Sequence, residues 1–383
     1  MKSINTLFHF FSIIACIVYT IQFIFGIGLS HDSIFYFHAA ESIADKGVML
    51  NPDGTLFLLW PPLYPFLLSL LIDYYPINFI LLQIIGFYFV VYNTLKLSEN
   101  INDKKYRIVI FLSILLSTSL LMDYKFMWSE IVFLGLLSTY VNLFIDLDKK
   151  KIQSSHFLLL TLLGCLLPLQ RTAMFFIWVG FFAYVIFEKR DQIKKYILHF
   201  TISGVLGVMW HVYSVIFNHS RADFEMGGWT SVVHNLSDYS FVFTRWFLPI
   251  NNNVFVGNMI FSKIIFTTYI IGLIILLFKN VNGSMKLIIS GILSYLFFMI
   301  VTPYFSVYGG NTQEAERFLS IIYPFTLVVL VYLFDKHLSK NKKYYLLLFV
   351  FLVYNSVRFS VNYYRYSKID DKIEVTSQYY LNK

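Results

Sequence analysis

The sequence predicts an all-α protein that crosses a membrane many times, and three observations predict it. Of 383 residues, 57% are hydrophobic and only 14% are charged, where a soluble domain carries about 25% charged residues. The apolar residues gather into runs, among them 7–29, 79–92 and 264–278, and a bilayer core needs roughly 20 apolar residues per helix. Short clusters of Lys, Asp and Asn separate the runs. Backbone groups in lipid must find partners within their own segment, so such runs read as spanning helices rather than strands.

The elements follow in chain order. One lysine, Lys2, stands before the first run, which is longer than a signal-peptide core and lacks a small-residue cleavage site; an uncleaved first helix is expected. Residues 61–72 (PPLYPFLLSLLI) have a helical pattern but are too short to cross. They are expected to lie along the outer interface. Further spans are expected near 77–95, 107–122, 129–145, 157–170, 172–187, 196–217, 260–278, 286–303, 318–334 and 344–362. With the first, that makes about eleven.

Charge sets the orientation. Basic clusters at Lys96/Lys104/Lys105/Arg107, Lys149–Lys151, Lys189/Arg190/Lys194/Lys195, Lys279/Lys286 and Lys336/Lys340/Lys342/Lys343 mark the cytoplasmic side. Residues 30–60 hold Lys46 alone against Asp32, Glu41, Asp45 and Asp53, and residues 304–316 hold no basic residue. These loops are placed outside, with the N-terminus in the cytoplasm and the C-terminus outside, in a plasma (inner) membrane. A crossing at 61–72 would carry the Lys96–Arg107 cluster outside, which is why that segment is read as interfacial. The net charge of +8 is accounted for by these clusters. No basic stripe with interleaved aromatics is present, so a nucleic-acid partner is excluded. The 41 Phe and 28 Tyr fit lipid-facing surface and interfacial belts. Cys16 and Cys165 lie within apolar runs and read as small buried hydrophobes.

Ionisable groups near membrane depth are costly, so each asks for a reason. Asp32 follows the first span directly, in Ser30-His31-Asp32. It reads either as the N-cap of a helix over 32–46 that Gly47 stops, or as a general base at the outer interface. On that helix Asp32, Tyr36, Ala40 and Ile43 fall on one stripe. Glu130 stands where an outer turn (DYKFMWSE) enters the next helix, paired with Lys125 or held for function. Arg171 interrupts two apolar helices at an outward hairpin, either snorkelling or awaiting an anion, since guanidinium matches phosphate oxygens. Arg317, in Glu314-Ala-Glu316-Arg317, repeats the pattern, with Glu314 or Glu316 as competing partners. Arg221 and Arg245 are weaker candidates for the same work. His31 and His38 have no partner at ligand spacing, so no metal site is read from them. In Trp60-Pro61-Pro62-Leu63-Tyr64-Pro65 the prolines fix a helix entry, and Trp60 and Tyr64 suit an interfacial anchor.

Taken together, these residues resemble the first outer loop of the GT-C superfamily of glycosyltransferases. The resemblance is closest to the family 39-like branch, which includes protein O-mannosyltransferases and lipid A aminoarabinose transferases. It rests on an aspartate after the first span, then Tyr36, Ala40, Gly47 and the 60–65 segment. In that family the first loop bears the catalytic aspartate and two interfacial helices. Glu130 is similar in place to the family's second outer-loop acid, Arg171 to its basic residue in a helix hairpin, and Arg317 before Pro324 to its late arginine at the lipid phosphate. Many members carry a charged residue where Trp60-Pro61 stand here. The resemblance covers most of 1–217 and reaches weakly into 310–335.

The resemblance implies a GT-C-like bundle: 1–217 as a transmembrane module including the outer loop 30–75, 218–259 as a second outer loop, and 260–383 as C-terminal helices with a short tail. It implies transfer of a sugar from a polyprenyl-phosphate donor to an acceptor hydroxyl on a glycan, lipid or protein of the cell envelope, by inverting displacement. Asp32 and Glu130 would be catalytic. Arg171, Arg317, Tyr36, His31, Trp60 and Tyr64 would bind substrate. A divalent metal is a possible cofactor, for which the sequence offers no complete ligand set. Two other readings stand beside it: an outer-leaflet polysaccharide polymerase or ligase, and a lipid-linked sugar flippase or transporter. The long first loop beginning with Asp32 argues against the former, and the lack of internal symmetry against the latter.

Overall fold

The structure is a computed structural model and describes residues 2–101, 103–149, 154–217, 226–250, 256–305, 312–339 and 341–371. Sixteen α-helices appear among these residues, joined by short 3₁₀ turns, with no strand beyond isolated single-pair bridges. They are α1 (Lys2–Thr20), α2 (His31–Lys46), α3 (Leu63–Ser69), α4 (Ile77–Leu97), α5 (Lys105–Leu115), α6 (Thr118–Lys125), α7 (Glu130–Lys149) and α8 (Ser154–Gln170). The second half comprises α9 (Ala173–Glu188), α10 (Ile193–Phe217), α11 (Gly228–Arg245), α12 (Val256–Phe278), α13 (Gly283–Val301), α14 (Thr312–Ser320), α15 (Tyr323–His337) and α16 (Tyr345–Tyr366).

Seven helices are long and apolar enough to cross a membrane, and nine if each of two bent pairs is one span. The chain is therefore a multi-pass membrane protein. The bent pairs are α5–α6, broken by 48°, and α14–α15, broken by 65°. Ser117 makes the first break workable, its Oγ accepting the Leu120 N–H at 3.3 Å. Pro324 sits in the first turn of α15, where its missing N–H is no loss. The expected eleven differ from nine by α8 and α9, which at 17 and 16 residues are short apolar helices.

The core is aromatic and closely packed. Tyr19, Tyr124, Trp246 and Tyr323 are fully buried within it. Small residues let backbones approach where helices cross. A Cβ on Gly135 of α7 would lie 2.6 Å from the Gly86 carbonyl oxygen of α4.

Polar contacts divide the bundle into two ends. At one, Lys96 pairs with Asp146 at 2.9 Å, Lys286 with Glu188 at 2.6 Å, and Lys105 donates to the Tyr345 hydroxyl at 2.6 Å. At the other lie the starts of α2, α7 and α9 and the whole of α14. Glu130 and Asp146 of α7 are thus about 24 Å apart along the axis at 1.5 Å per residue. Lys150, Lys151, Lys340 and Arg221, read from the sequence as charge markers or a candidate cation, lie outside the described residues.

Two expectations for the first loop need correction. Ser30, not Asp32, is the N-cap of α2. Its extended backbone precedes the helix, and its N–H donates to Ser33 Oγ at 3.0 Å. Asp32 is already in the first turn, where its carboxylate faces the positive end of the helix dipole. Residues 61–72 do not form one helix. α3 has seven residues, and after Ser69 the chain turns into a short 3₁₀ segment at Ile72–Tyr74. Gly47 does close α2, in the left-handed conformation (φ 71°), its N–H donating to Ile43 O at 2.9 Å.

Candidate functional site

The connection from α1 to α2 positions the site. Residues 26–29 are threaded between two other segments. Gly28 N–H donates to Lys125 O at 3.0 Å, and Met127 N–H to Gly28 O at 2.9 Å. On the other side, Asp371 N–H donates to Ile27 O at 3.2 Å, while Asp371 Oδ2 accepts Leu29 N–H at 3.0 Å. Gly28 is required here, because a Cβ would stand 2.7 Å from the Phe126 ring. Lys125 is buried and does not pair with Glu130, contrary to one sequence reading. Its Nζ donates to Gly26 O at 2.7 Å and Gln22 O at 3.0 Å, satisfying carbonyls at the end of the first span.

With the loop fixed, four charged side chains from four regions of the chain meet. Arg317 Nη1 pairs with Asp32 Oδ2 at 2.7 Å, and its Nε donates to Glu130 Oε1. Arg171 Nη1 pairs with the same Glu130 oxygen and donates to Ser129 Oγ at 3.1 Å. Glu314 lies one turn from Arg317, 3.5 Å from its Nη1. The Arg317 guanidinium stacks 4.4 Å from the centre of the Trp128 ring, whose Nε1 donates to Ser30 Oγ at 2.6 Å. Side-chain exposure grades the group: Glu130 is 1% exposed, Arg317 4%, Arg171 14% and Asp32 18%. Of the two carboxylates paired most closely with Arg317, Asp32 is therefore the one that solvent or a substrate reaches; Glu314, at 30%, is more exposed but stands farther off.

Arg171 and Arg317 are both paired, Arg317 with Glu314 among others, as one alternative in the sequence reading allows. Glu130 bridges both. A guanidinium has five N–H donors in a fixed fork, so these pairings leave Arg317 and Arg171 capacity for a further anion. Asp123, fully buried, lies beside the Ser320 hydroxyl and within electrostatic reach of Glu130, Arg317 and Arg171. With Asp32, Glu130 and Glu314 it brings the carboxyl groups to four against two guanidiniums.

An aromatic wall adjoins Asp32. The His31 ring lies 4.6 Å from Phe35 and 6.3 Å from Trp60, and Trp60 lies 5.2 Å from Phe35 and 5.7 Å from Phe57. Tyr36 packs edge-on to Tyr64 at 5.0 Å. Tyr64 is fully buried, so it is a core residue of the loop and not an exposed anchor. Burial, with the Asp32 charge beside it, pushes the Tyr36 phenol up, so it stays protonated and neutral. His31 is exposed, and Trp60 half-buried.

Arg245 does other work. It pairs with Glu316, which also takes Arg358 Nη2 at 2.5 Å and the Ser119 hydroxyl at 2.9 Å. Glu316 is therefore not the partner of its neighbour Arg317. The sequence reading passed over Arg358, although an arginine inside the apolar run 344–362 is a recognisable signal. It also passed over Trp128 and Ser129, for which the sequence holds no such mark. Among the described residues, no group of three or more His, Cys, Asp or Glu side chains could hold a metal ion. No family model, curated protein or solved structure matches the chain.

Proposed function

We propose that the chain is a membrane glycosyltransferase that moves a sugar from a polyprenyl-phosphate donor to an acceptor hydroxyl outside the membrane. One observation carries this reading. Asp32 and Arg317, 285 positions apart, pair at one end of a membrane bundle, with Glu130 and Arg171 beneath them and an aromatic wall alongside. That is what group transfer at a membrane face requires: an accessible carboxylate, fixed cations for a phosphate, and flat apolar surface for a sugar ring.

In this mechanism the acceptor oxygen attacks the anomeric carbon and the bond from that carbon to the phosphate oxygen breaks. The leaving phosphate keeps the electron pair and is a stable anion, so it needs cationic stabilisation and no proton. The remaining donors of Arg171 and Arg317 supply that stabilisation. Asp32 takes the proton of the acceptor hydroxyl. The pair with Arg317 Nη1 holds the Asp32 carboxylate in place for that proton transfer. Glu130, buried and shared, holds the two cations together against their mutual repulsion. A single displacement inverts the anomeric centre.

The test is transfer from radiolabelled polyprenyl-phosphate sugars in membranes holding the full chain. Wild type should label an acceptor fraction, and Asp32→Asn should lower the rate by about 10²–10⁴-fold while inserting normally. Undiminished transfer by Asp32→Asn removes that residue from its role. Absence of transfer by wild type across the lipid-linked sugars overturns the reading.

A further inference from the structure

From about 12 Å to about 25 Å along α9 from Arg171, at 1.5 Å per residue, the helices α9, α12 and α13 enclose a groove lined by none of the residues of the charged site. Its cavity is about 530 Å³, within the roughly 300–1,000 Å³ typical of sites that take small molecules. The walls are apolar, and Val179, Phe187 and Phe278 at its edges are exposed, as lipid-facing residues are. Along one side of the groove α9 and α13 touch, where Gly180 meets the Ser290 carbonyl.

Among the described residues that line this groove, two are charged. Lys286 of α13 and Glu188 of α9 pair at 2.6 Å, with side chains 17% and 37% exposed. Their surroundings are basic in sequence (Lys189, Arg190, Lys279). A pair of opposite charges at the mouth of an apolar groove complements a ligand with opposite charges on one headgroup. A purely anionic headgroup would be drawn to Lys286 and repelled by Glu188. A zwitterion with a primary amine satisfies both: its phosphate meets Lys286, and its ammonium donates to Glu188.

We propose that this groove seats one phospholipid with a primary-amine headgroup, one of its two acyl chains lying between α9, α12 and α13. A quaternary ammonium carries the same charge but has no N–H, so it cannot replace the hydrogen bond to Glu188. The site therefore distinguishes phosphatidylethanolamine from phosphatidylcholine.

The experiment is native mass spectrometry of the full purified chain titrated with dioleoyl phosphatidylethanolamine, phosphatidylcholine or phosphatidylglycerol. Wild type should hold one phosphatidylethanolamine about tenfold more tightly than phosphatidylcholine, the value of one charge-assisted hydrogen bond. Glu188→Gln should abolish that difference and move the preference to phosphatidylglycerol, because Lys286 then lacks its anion. Ala183→Phe, which fills the groove and leaves the ion pair in place, should remove the tightly held lipid. Equal binding of the three lipids by wild type overturns the proposal. So does a phosphatidylethanolamine preference that survives Glu188→Gln, or a lipid retained by Ala183→Phe.

Discussion

Neighbouring residues in α14 face different partners and carry different weights. Glu316 turns to Arg245 and Arg358, and Arg317 turns to Asp32 and Glu130. Both sets are largely withdrawn from water, where removing one member of an ion pair strands the rest. Glu316→Gln leaves two guanidiniums without a carboxylate and is expected to destabilise by about 3–5 kcal/mol. Asp32→Asn removes one member of the other set and leaves Arg317 paired with Glu130 and Glu314. Because Arg317 keeps those two partners, the loss in stability should stay below about 1 kcal/mol, while the proposed transfer should be lost. Thermal unfolding of the two variants in detergent, alongside the transfer assay, separates these effects. If Asp32→Asn unfolds as readily as Glu316→Gln, Asp32 is a structural anchor and its activity loss says nothing of chemistry.

At the level of elements, the site depends on a strap rather than on the helices that carry it. Residues 26–29 hold the start of α2 through backbone pairs with 125–127 and with Asp371. Gly28→Ala forces a methyl group against Phe126 and should cost about 1–3 kcal/mol, as overpacking does. Truncation after residue 368 removes both Asp371 hydrogen bonds to the strap, to Leu29 N–H and to Ile27 O, and should cost about 1–3 kcal/mol. The measurement is the shift in unfolding midpoint of each variant. A truncation that loses nothing shows that the Lys125–Met127 side alone holds the strap. This strap also marks where the sequence stops being legible. The long helices are written in local apolar runs, and Gly47 announces the end of α2 by its own freedom at positive φ. Asp32, Glu130, Arg171 and Arg317 each stand out because a charge beside an apolar run is costly. Their pairing does not, because a single sequence carries no record of contacts between residues as far apart as 32 and 317. Lys125 was misread for the same reason. Glu130 is five positions away and looks like its partner, but the carbonyls of Gln22, Phe25 and Gly26, about a hundred positions away, claim it.

For the whole molecule, the open quantity is how α8 and α9 meet the bilayer. A helix of 16 residues rises about 24 Å, short of a hydrocarbon core of about 30 Å. Tilting only shortens its reach, so the pair either stays within the protein or crosses with local thinning of the bilayer. The packing favours crossing. The turn between them does not have to reach water, because Arg171 is held by Glu130 and Ser129, and Gln170 Nε2 donates to Ser129 O at 3.2 Å. At its far end α9 is tied by Glu188 to Lys286, beside the α12–α13 turn. If α9 crosses, the basic positions near Lys189 share a side with those near Lys96 and Lys286, as the bias of Lys and Arg toward the cytoplasm demands. The chain has two cysteines, Cys16 and Cys165, which makes labelling practical. In a background with both replaced by alanine, Asp53→Cys should react with a membrane-impermeant thiol reagent on intact cells. Lys189→Cys should react only after permeabilisation. Reaction of both from outside would mean that α8 and α9 do not cross as a pair in the orientation set by charge. The charged site would then have to be placed anew relative to the membrane.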